Sequence, residues 1–471
     1  MIYLSLMKYS SVKEACPMNL KKYFSLLVLS VFILSSMNGV LFSQQKEVAD
    51  VRDSHNILSE EKRAQVMNRW LKWRLENIVP ELMRRENIDL WLIINREYNE
   101  DPVYMSLVPE PTMAARRTSI LMFHDQGPEK GVQRLSGSYY GMGEWYQTTW
   151  KDKKKMQFES LAEVIKKIDP KKIGINVSPT FRFGDGLTAS MKDKLEQALG
   201  PELSSRFVSA ENLCLGWLET RSPQELSVYR HLCGIAHDII AEFFSNQVIT
   251  PGITTADDVV WWIRQKFTDL GLDTWFQPSI SIQRYEKIAE KYKENPEIIR
   301  RGDLLHCDIG IKYLGLCTDM QWQAYVCKIG EDDAPEGLKK AMERTLKVAE
   351  IFMSEFKQGR TGNEITDSAM DKATRAGLRP LIYSHPLGFH GHAAGCSMDA
   401  RAPERAPEGI RTEMEYPLHY NTCYAIEFSS TTSVPEWDGQ DVRIGFEEDG
   451  VFTQNGCRFI DGCQKKILLI K

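Results

Sequence analysis

The stretch HCDIGIKYLGLCTD, residues 306–319, places two carboxylates inside sequence that otherwise has the composition of buried strands. Residues 304–311 and 316–326 are both rich in β-forming side chains. The Tyr313-Leu314 pair and the glycine that follows it can form a turn between them. The segment therefore predicts a β-hairpin.

The geometry of that hairpin determines how the two carboxylates are related. With the turn centred on Tyr313 and Leu314, Asp308 lies directly opposite Asp319, and their Cβ atoms are about 5 Å apart on one face. Two like charges at this distance repel each other, and burial penalises each of them further. An ion pair or a bound cation must compensate, and a divalent metal would do so best. Two exposed carboxylates on an edge strand are the alternative.

The composition limits the classes of protein to consider. At 471 residues the chain is long enough for two or three domains. A hydrophobic content of 42% and a charged content of 26% are ordinary for a soluble globular protein. The net charge is −5 and no long basic run occurs, so we expect no nucleic-acid partner.

The amino terminus has the features of a targeting segment. Lys21 and Lys22 precede an uncharged, mostly apolar run over residues 23–42, which is typical of a secretory signal. We therefore expect residues 1–43 to be a signal peptide, with the start at Met18, and the mature protein to be exported to the periplasm or secreted. The alternative is an uncleaved membrane anchor formed by residues 23–42, because about 20 uncharged residues can span a bilayer. This segment is the only expected membrane contact.

Residues 44–214 alternate helix-like and strand-like segments. Such alternation predicts a small α/β domain. The helical segments are residues 60–85, 161–168 and 191–200, and the strand-like segments are residues 89–94, 119–123 and 172–177.

A second domain is expected over residues 215–471. Ser222, Pro223 and Glu225 form a capping box with proline at the first helical position, which predicts a long helix that ends near residue 247. Further on, strands and helices come in separate blocks, so the predicted fold class of this domain is α+β.

Three further segments of the second domain carry chemistry-bearing residues. SHPLGFHGHAAG, residues 384–395, places His385, His390 and His392 in a Gly-rich loop. Glu427 and Glu447 each interrupt an apolar strand-like run, although carboxylates are rarely buried without a partner. Each residue alone has an ordinary explanation: a solvated loop histidine, an edge-strand glutamate, or a glutamate that begins an acidic turn. Together, Asp, Asp, His, Glu and Glu form a set that can bind two divalent cations.

In order and spacing these residues resemble the pita-bread metallopeptidases, which include aminopeptidase P, prolidase, methionine aminopeptidase and, without metal, creatinase. DIGIKYLGLCTD matches the family pattern D-x-G-x-x-x-x-G-x-x-x-D, with Gly310 and Gly315 at its two glycine positions. His385 matches the metal-ligating histidine, and His392 matches a second histidine seven residues later that touches the substrate. The segment EEDGVFTQ resembles the acidic ending of the family.

The resemblance implies an α+β pita-bread catalytic domain preceded by a smaller, creatinase-like α/β domain. It implies a metal-dependent hydrolase that cleaves the amino-terminal bond of peptide substrates, similar to Xaa-Pro aminopeptidase, and commonly a homo-oligomer. It also implies two divalent ions, with Mn²⁺ expected and Co²⁺ or Zn²⁺ as alternatives. The implied metal ligands are Asp308, Asp319, His385, Glu427 and Glu447. Glu427 would also act as general base, and His392 would stabilise the oxyanion.

The sequence departs from the Xaa-Pro peptidases around this set. Residues 279–303 contain no histidine where a substrate-contacting histidine is usual, and Gln321-Trp322-Gln323 replaces a T-R-T segment. The alternatives are therefore a prolidase-like dipeptidase, a peptidase of broader specificity, or a non-catalytic pita-bread module that binds peptides or proteins.

Overall fold

The computed structural model describes residues 56–401 and 413–471. The predicted signal peptide, residues 1–43, lies outside the described residues, as does the candidate start at Met18. Within the described ranges, no helix is both long enough and apolar enough to cross a membrane.

The amino-terminal half contains a six-stranded mixed sheet in the order β4-β3-β2-β1-β5-β6. Its strands are β1 (Leu90–Arg96), β2 (Thr118–Asp125), β3 (Val132–Ser136), β4 (Gln147–Thr148), β5 (Ile173–Ile175) and β6 (Phe207–Ser209). Its helices are α1 (Glu60–Arg85), α2 (Gln157–Ile168), α3 (Ala189–Ser204) and α4 (Glu211–Glu219). The central strand β1 is buried along nearly its whole length, which matches its continuous apolar sequence.

The carboxyl-terminal half contains a nine-stranded sheet. Seven strands follow the order β13-β12-β14-β15-β11-β8-β7, while β16 pairs with β15 and β17 pairs with β11. The strands are β7 (Ser279–Gln283), β8 (Leu304–Ile309), β9 (Lys312–Tyr313), β10 (Leu316–Cys317), β11 (Met320–Val326), β12 (Pro380–Leu387), β13 (Met398–Asp399), β14 (Thr422–Val434), β15 (Gln440–Thr453), β16 (Gly456–Phe459) and β17 (Leu468–Ile470). The short strands β9 and β10 form a separate pair.

Within residues 215–401 and 413–471, five α-helices accompany this sheet. They are α5 (Pro223–Phe243), α6 (Ala256–Asp269), α7 (Glu286–Ala289), α8 (Glu336–Ser354) and α9 (Gly362–Arg375). The predicted capping box begins α5: the Ser222 side chain accepts a hydrogen bond from the Glu225 backbone N–H at 3.1 Å. The prediction of an α+β catalytic domain preceded by an α/β domain is confirmed. The described residues, 56–401 and 413–471, form one compact unit, and the proposed boundary between residues 214 and 215 stays a prediction.

The predicted hairpin forms, but its register differs from the expected one. The turn is centred on Leu314 and Gly315, whose φ angles are 53° and 72°. Both angles lie in the left-handed region, as a two-residue hairpin turn of type I′ requires. As a consequence Asp308 pairs with Gln321 and not with Asp319. A shift of two residues preserves the face on which a side chain lies, and the two aspartate carboxyl groups still meet.

A buried ion cluster joins α1 to the start of α5. Arg74 Nη1 lies 2.9 Å from Glu225 Oε2, and both side chains are 1% exposed. Arg221 Nη1 lies 3.4 Å from the other carboxylate oxygen, Oε1. The Phe389 ring packs against both guanidinium groups, with its centroid 5.0 Å and 4.7 Å from their central carbons. This cluster holds the loop after β12 against the amino-terminal helix.

We predict that Glu225→Ala destabilises the protein by about 3–5 kcal/mol, because it leaves two buried guanidinium groups without their counter-ion. Urea unfolding measures the change. Glu364→Ala is the matched control, since Glu364 closes the capping box of α9 at an exposed position. The control should cost roughly 1 kcal/mol. Equal losses in the two variants would contradict a role for the buried cluster.

Candidate metal centre

Strand register places four polar side chains in one row across the nine-stranded sheet. Asp308 on β8 pairs with Gln321 on β11, and Gln321 pairs in turn with Glu447 on β15. Glu447 pairs with Glu427 on β14. Paired residues of antiparallel strands point to the same face, so these side chains are neighbours.

His385 and Asp319 complete the cluster. His385 lies within β12 and is 4% exposed, and Asp319 immediately precedes β11 and is also 4% exposed. The Nε2 atom of His385 lies 3.4 Å from Asp319 Oδ2, and 3.9 Å from both Glu427 Oε2 and Glu447 Oε1. Ligand atoms of Asp319, His385 and Glu447 all lie within 4.8 Å of one another. A metal ion could therefore be held by these three residues.

The orientation of the His385 ring is fixed by a backbone contact. Its Nδ1 atom lies 3.0 Å from the carbonyl oxygen of Pro386, which can only accept a hydrogen bond. Nδ1 must therefore carry the proton, and the lone pair of Nε2 faces the carboxylates. This tautomer is the one required of a histidine that binds a metal through Nε2.

Several carboxylate oxygens of the cluster are buried without a hydrogen-bond partner. They are Asp308 Oδ1, Asp319 Oδ1 and Glu447 Oε1. Burial, together with the neighbouring Asp319, raises the pKa of Asp308 to about 8, and burial raises the pKa of Glu427 to about 7. Burial and the adjacent carboxylates also raise the pKa values of Asp319 and Glu447 well above their usual range. The charged form of each group is therefore destabilised unless a cation is present.

The protein itself provides little compensation for these charges. Among residues 56–401 and 413–471, no lysine or arginine forms an ion pair with any of the four carboxylates. Four carboxylates and one imidazole form a hard donor set that suits divalent ions such as Mn²⁺. The orphaned oxygens and the donor chemistry both fit the two divalent ions that the sequence resemblance implies.

The three histidines of the segment 384–395 do not behave alike. The prediction that all three lie in a loop is wrong for His385, because β12 extends through residue 387. His392 lies exposed beside the cluster, with its ring centroid 4.5 Å from that of His385. His390 instead packs against Phe183 of the amino-terminal half, at a centroid distance of 4.7 Å. Among the described residues, no hydrogen bond, ion pair or ring contact joins the His390 side chain to the five predicted ligands.

Two acidic residues that follow Glu447 support the cluster from behind. The alternative of an acidic turn is wrong, because Glu448 and Asp449 lie within β15 and are 1% and 2% exposed. Asp449 Oδ1 accepts the backbone N–H of Asp319 at 3.0 Å. Glu448 Oε1 accepts the indole N–H of Trp322 at 2.7 Å. Three consecutive acids in an otherwise apolar strand were the sequence signal for these contacts.

Trp275 was not identified from the sequence, yet it forms one wall beside His392. Its indole N–H donates to the carbonyl oxygen of Thr318 at 2.9 Å. Its ring lies 5.1 Å from that of His392, measured between centroids, in an edge-to-face arrangement. No local motif around residue 275 indicates this position, since it depends on the fold of the segment between α6 and β7.

A buried group of carboxylates and one imidazole on a sheet is typical of the metal-dependent hydrolases. Comparison with known families agrees, because the sequence profile of metallopeptidase family M24 matches residues 227–461. The chain therefore belongs to metallopeptidase family M24, through the half that carries the cluster.

Curated relatives are distant. The methionine aminopeptidase of Thermococcus onnurineus is 26% identical over 202 residues, which cover 42% of this chain and 61% of that protein. The uncharacterized peptidase YqhT of Bacillus subtilis is 22% identical over 253 residues, covering 53% of this chain and 64% of that protein. The chain thus spans less than two thirds of the length of each of these relatives.

Solved structures share the fold over most of the chain. The X-Pro aminopeptidase of Thermotoga maritima has a TM-score of 0.57 at 17% identity, covering 83% of this chain and 99% of that chain. A dipeptidase of Pyrococcus horikoshii has a TM-score of 0.54 at 18% identity, covering 84% of this chain and 100% of that chain. At these identities the likeness establishes the fold.

We predict that stabilisation by Mn²⁺ increases with pH. The raised pKa values mean that the folded, metal-free protein keeps protons on Asp308 and Glu427 that the unfolded chain has released, so its stability falls as the pH rises from about 4 to the raised values of about 7 and 8, and levels off above them. Bound metal replaces those protons. The difference in Tm between samples with Mn²⁺ and with chelator should therefore widen from about pH 6 to about pH 8.5.

Asp319→Asn is the control for this prediction, because it removes one buried carboxylate of the cluster and keeps the volume. The variant should lose most of the difference in Tm. A difference in wild type that is independent of pH would contradict the account of the cluster.

Proposed function

We propose that this protein is an exported, dinuclear-metal aminopeptidase that hydrolyses the amino-terminal bond of peptides, in the manner of an Xaa-Pro aminopeptidase. The observation that carries the proposal is the grouping of possible ligand atoms of Asp319, His385 and Glu447 within 4.8 Å of one another in the M24 domain, beside carboxylate oxygens that are buried without a hydrogen-bond partner. A non-catalytic binding module would have no need to keep this costly cluster. Export is proposed from residues 23–42, and assembly into a homo-oligomer is proposed by analogy with the family.

Five residues would hold the two ions. They are the residues that match the ligand positions of the family pattern: Asp308, Asp319, His385, Glu427 and Glu447. When bound, such a pair of divalent ions lowers the pKa of a water molecule and polarises the carbonyl group that this water attacks.

Glu427 is suited to act as the general base. Its Oε2 atom lies 3.9 Å from His385 Nε2, and its side chain is 20% exposed, so this carboxylate both belongs to the cluster and can be reached by a water molecule and a substrate. It would take the proton of the attacking water and pass it to the departing amine.

His392 is suited to stabilise the oxyanion that develops on the substrate. It is exposed beside the cluster, and its ring lies edge-on to His385 and Trp275. An imidazole N–H that points at the developing charge contributes more in the transition state than in the ground state.

A prolidase-like dipeptidase is the second candidate. Residues 279–303 contain no histidine at the position where Xaa-Pro peptidases usually have one, so the specificity for proline rests on family likeness alone. Similar solved structures include an X-Pro aminopeptidase and a dipeptidase, with TM-scores of 0.57 and 0.54.

Elemental analysis and a peptide panel test the proposal together. We expect about two ions per chain after Mn²⁺ loading, and hydrolysis that a chelator abolishes and Mn²⁺ restores. The panel compares Xaa-Pro tripeptides, Xaa-Pro dipeptides and matched peptides with alanine in place of proline. Cleavage restricted to dipeptides would establish the dipeptidase instead. A chain that neither binds Mn²⁺ nor cleaves any peptide would refute the enzymatic proposal.

We predict that His392→Ala lowers kcat by roughly 100-fold or more while the Mn²⁺ content is unchanged, because His392 would contact the reacting carbonyl and would bind no ion. Steady-state kinetics and elemental analysis on the same preparation provide the measurement. His390→Ala is the matched control, since His390 comes from the same loop and packs against Phe183. Wild-type turnover in His392→Ala would disprove the oxyanion role.

A further inference from the structure

The side chain of Gln321 lies between two of the proposed metal ligands. Its Nε2 donates to Glu427 Oε1 at 3.0 Å and to Glu447 Oε2 at 2.8 Å. Gln321 is 7% exposed, so these contacts are largely protected from water. Sequence analysis identified residues 321–323 only as a departure from the T-R-T segment usual in the family.

The two N–H donors of the Gln321 amide determine the direction of the further hydrogen bonds to His306 and Ser281. Nε2 carries two hydrogens, and each is directed to a carboxylate oxygen, so Oε1 of Gln321 must act as the acceptor. It lies 2.8 Å from Nε2 of His306, which therefore carries the proton of that ring. His306 Nδ1 then accepts from the Ser281 hydroxyl at 3.2 Å. The resulting series of hydrogen bonds runs from Ser281 through His306 and Gln321 to the two glutamates.

The contacts of Gln321 distinguish the two oxygens of each glutamate. Gln321 holds Oε1 of Glu427 and Oε2 of Glu447. The opposite oxygens, Oε2 of Glu427 and Oε1 of Glu447, each lie 3.9 Å from His385 Nε2. Of these, Glu447 Oε1 is buried without a partner. The amide thus fixes one oxygen of each carboxylate and leaves the other directed into the cluster.

Gly445 provides the space that this arrangement needs. A Cβ atom at position 445 would lie 2.7 Å from His306 Nε2 and 2.8 Å from Gln321 Oε1. A side chain at position 445 would therefore clash with both groups and separate the His306 imidazole from the Gln321 amide. The contact between His306 and Gln321 therefore depends on a glycine at position 445.

We propose that Gln321, oriented by His306, is a positioning residue that selects the oxygen that Glu427 and Glu447 each present to the metal centre. This inference rests on the proposed function, since it assigns Gln321 a role toward the same ions. Groups that orient metal ligands by hydrogen bonding typically contribute 10–100-fold to metal affinity or activity.

The test measures the Kd of Mn²⁺ by calorimetry, together with kcat and KM, in four variants of the full chain. Gln321→Met should weaken Mn²⁺ binding by about 10–100-fold and lower kcat with little change in KM, because the carboxylates lose their orientation and the substrate contacts remain. Gln323→Met is the matched control. Gln323 is a buried glutamine on the same strand, and its side-chain amide donates to the Gly445 carbonyl oxygen and not to a glutamate. This control should bind Mn²⁺ like wild type.

His306 provides a second, independent pair of variants. His306→Phe should weaken Mn²⁺ binding about tenfold, while His306→Gln, whose Nε2 can still donate to Gln321, should stay within about threefold of wild type. If Gln321→Met fails to fold, this pair decides the question.

Equal Mn²⁺ affinity in Gln321→Met and Gln323→Met, or in His306→Phe and His306→Gln, would overturn the inference and leave the proposed function intact. Failure of the wild-type chain to bind Mn²⁺ would instead overturn the proposed function and this inference together.

Discussion

The mutual repulsion of four carboxylates, of which Asp319 and Glu447 are buried and Asp308 and Glu427 are partly buried, is the constraint on which the rest of this structure depends. Asp308, Asp319, Glu427 and Glu447 occupy one region of a sheet where apolar side chains would be more stable. The burial of these groups and their closeness raise every one of their pKa values. A folded chain can retain such a cluster only if protons or a cation neutralise it, and the grouping of Asp319, His385 and Glu447 beside carboxylate oxygens without hydrogen-bond partners fits a divalent ion.

The surrounding structure orients these groups by hydrogen bonds with backbone and side-chain groups that bring no positive charge. A backbone carbonyl fixes the tautomer of His385, Asp449 accepts the backbone N–H of Asp319, and the Gln321 amide spans the two glutamates. None of these contacts neutralises the cluster. They fix the direction of His385, Glu427 and Glu447 and hold the backbone at Asp319, while the charges remain available, which is the arrangement that metal binding requires. At longer range, the buried ions around Phe389 secure the loop that carries His392.

Much of this arrangement could be predicted from the sequence. Two sequence features identified the residues that come together: the spacing of Asp308 and Asp319, and the glutamates inside apolar strands. Both are informative because burying a carboxylate raises the free energy of the folded chain wherever the strand lies. The hairpin register was wrong by two residues, since both Leu314-Gly315 and Tyr313-Leu314 were plausible turn centres and only the backbone angles distinguish them. The strand position of His385 was hidden by the neighbouring glycines. The role of Gln321 depends on side-chain contacts between strands that are distant in sequence, which no local pattern reveals.

Anomalous diffraction from crystals grown with Mn²⁺, with data collected at the manganese edge, tests the central claim most directly. The account predicts anomalous density within about 2–2.5 Å of Asp319, His385 and Glu447, with a second peak beside Asp308. It also predicts that the Gln321 amide still contacts Glu427 and Glu447. Density elsewhere, or an empty cluster in which the carboxyl groups share protons with one another, would show that the buried carboxylates are not held for a metal.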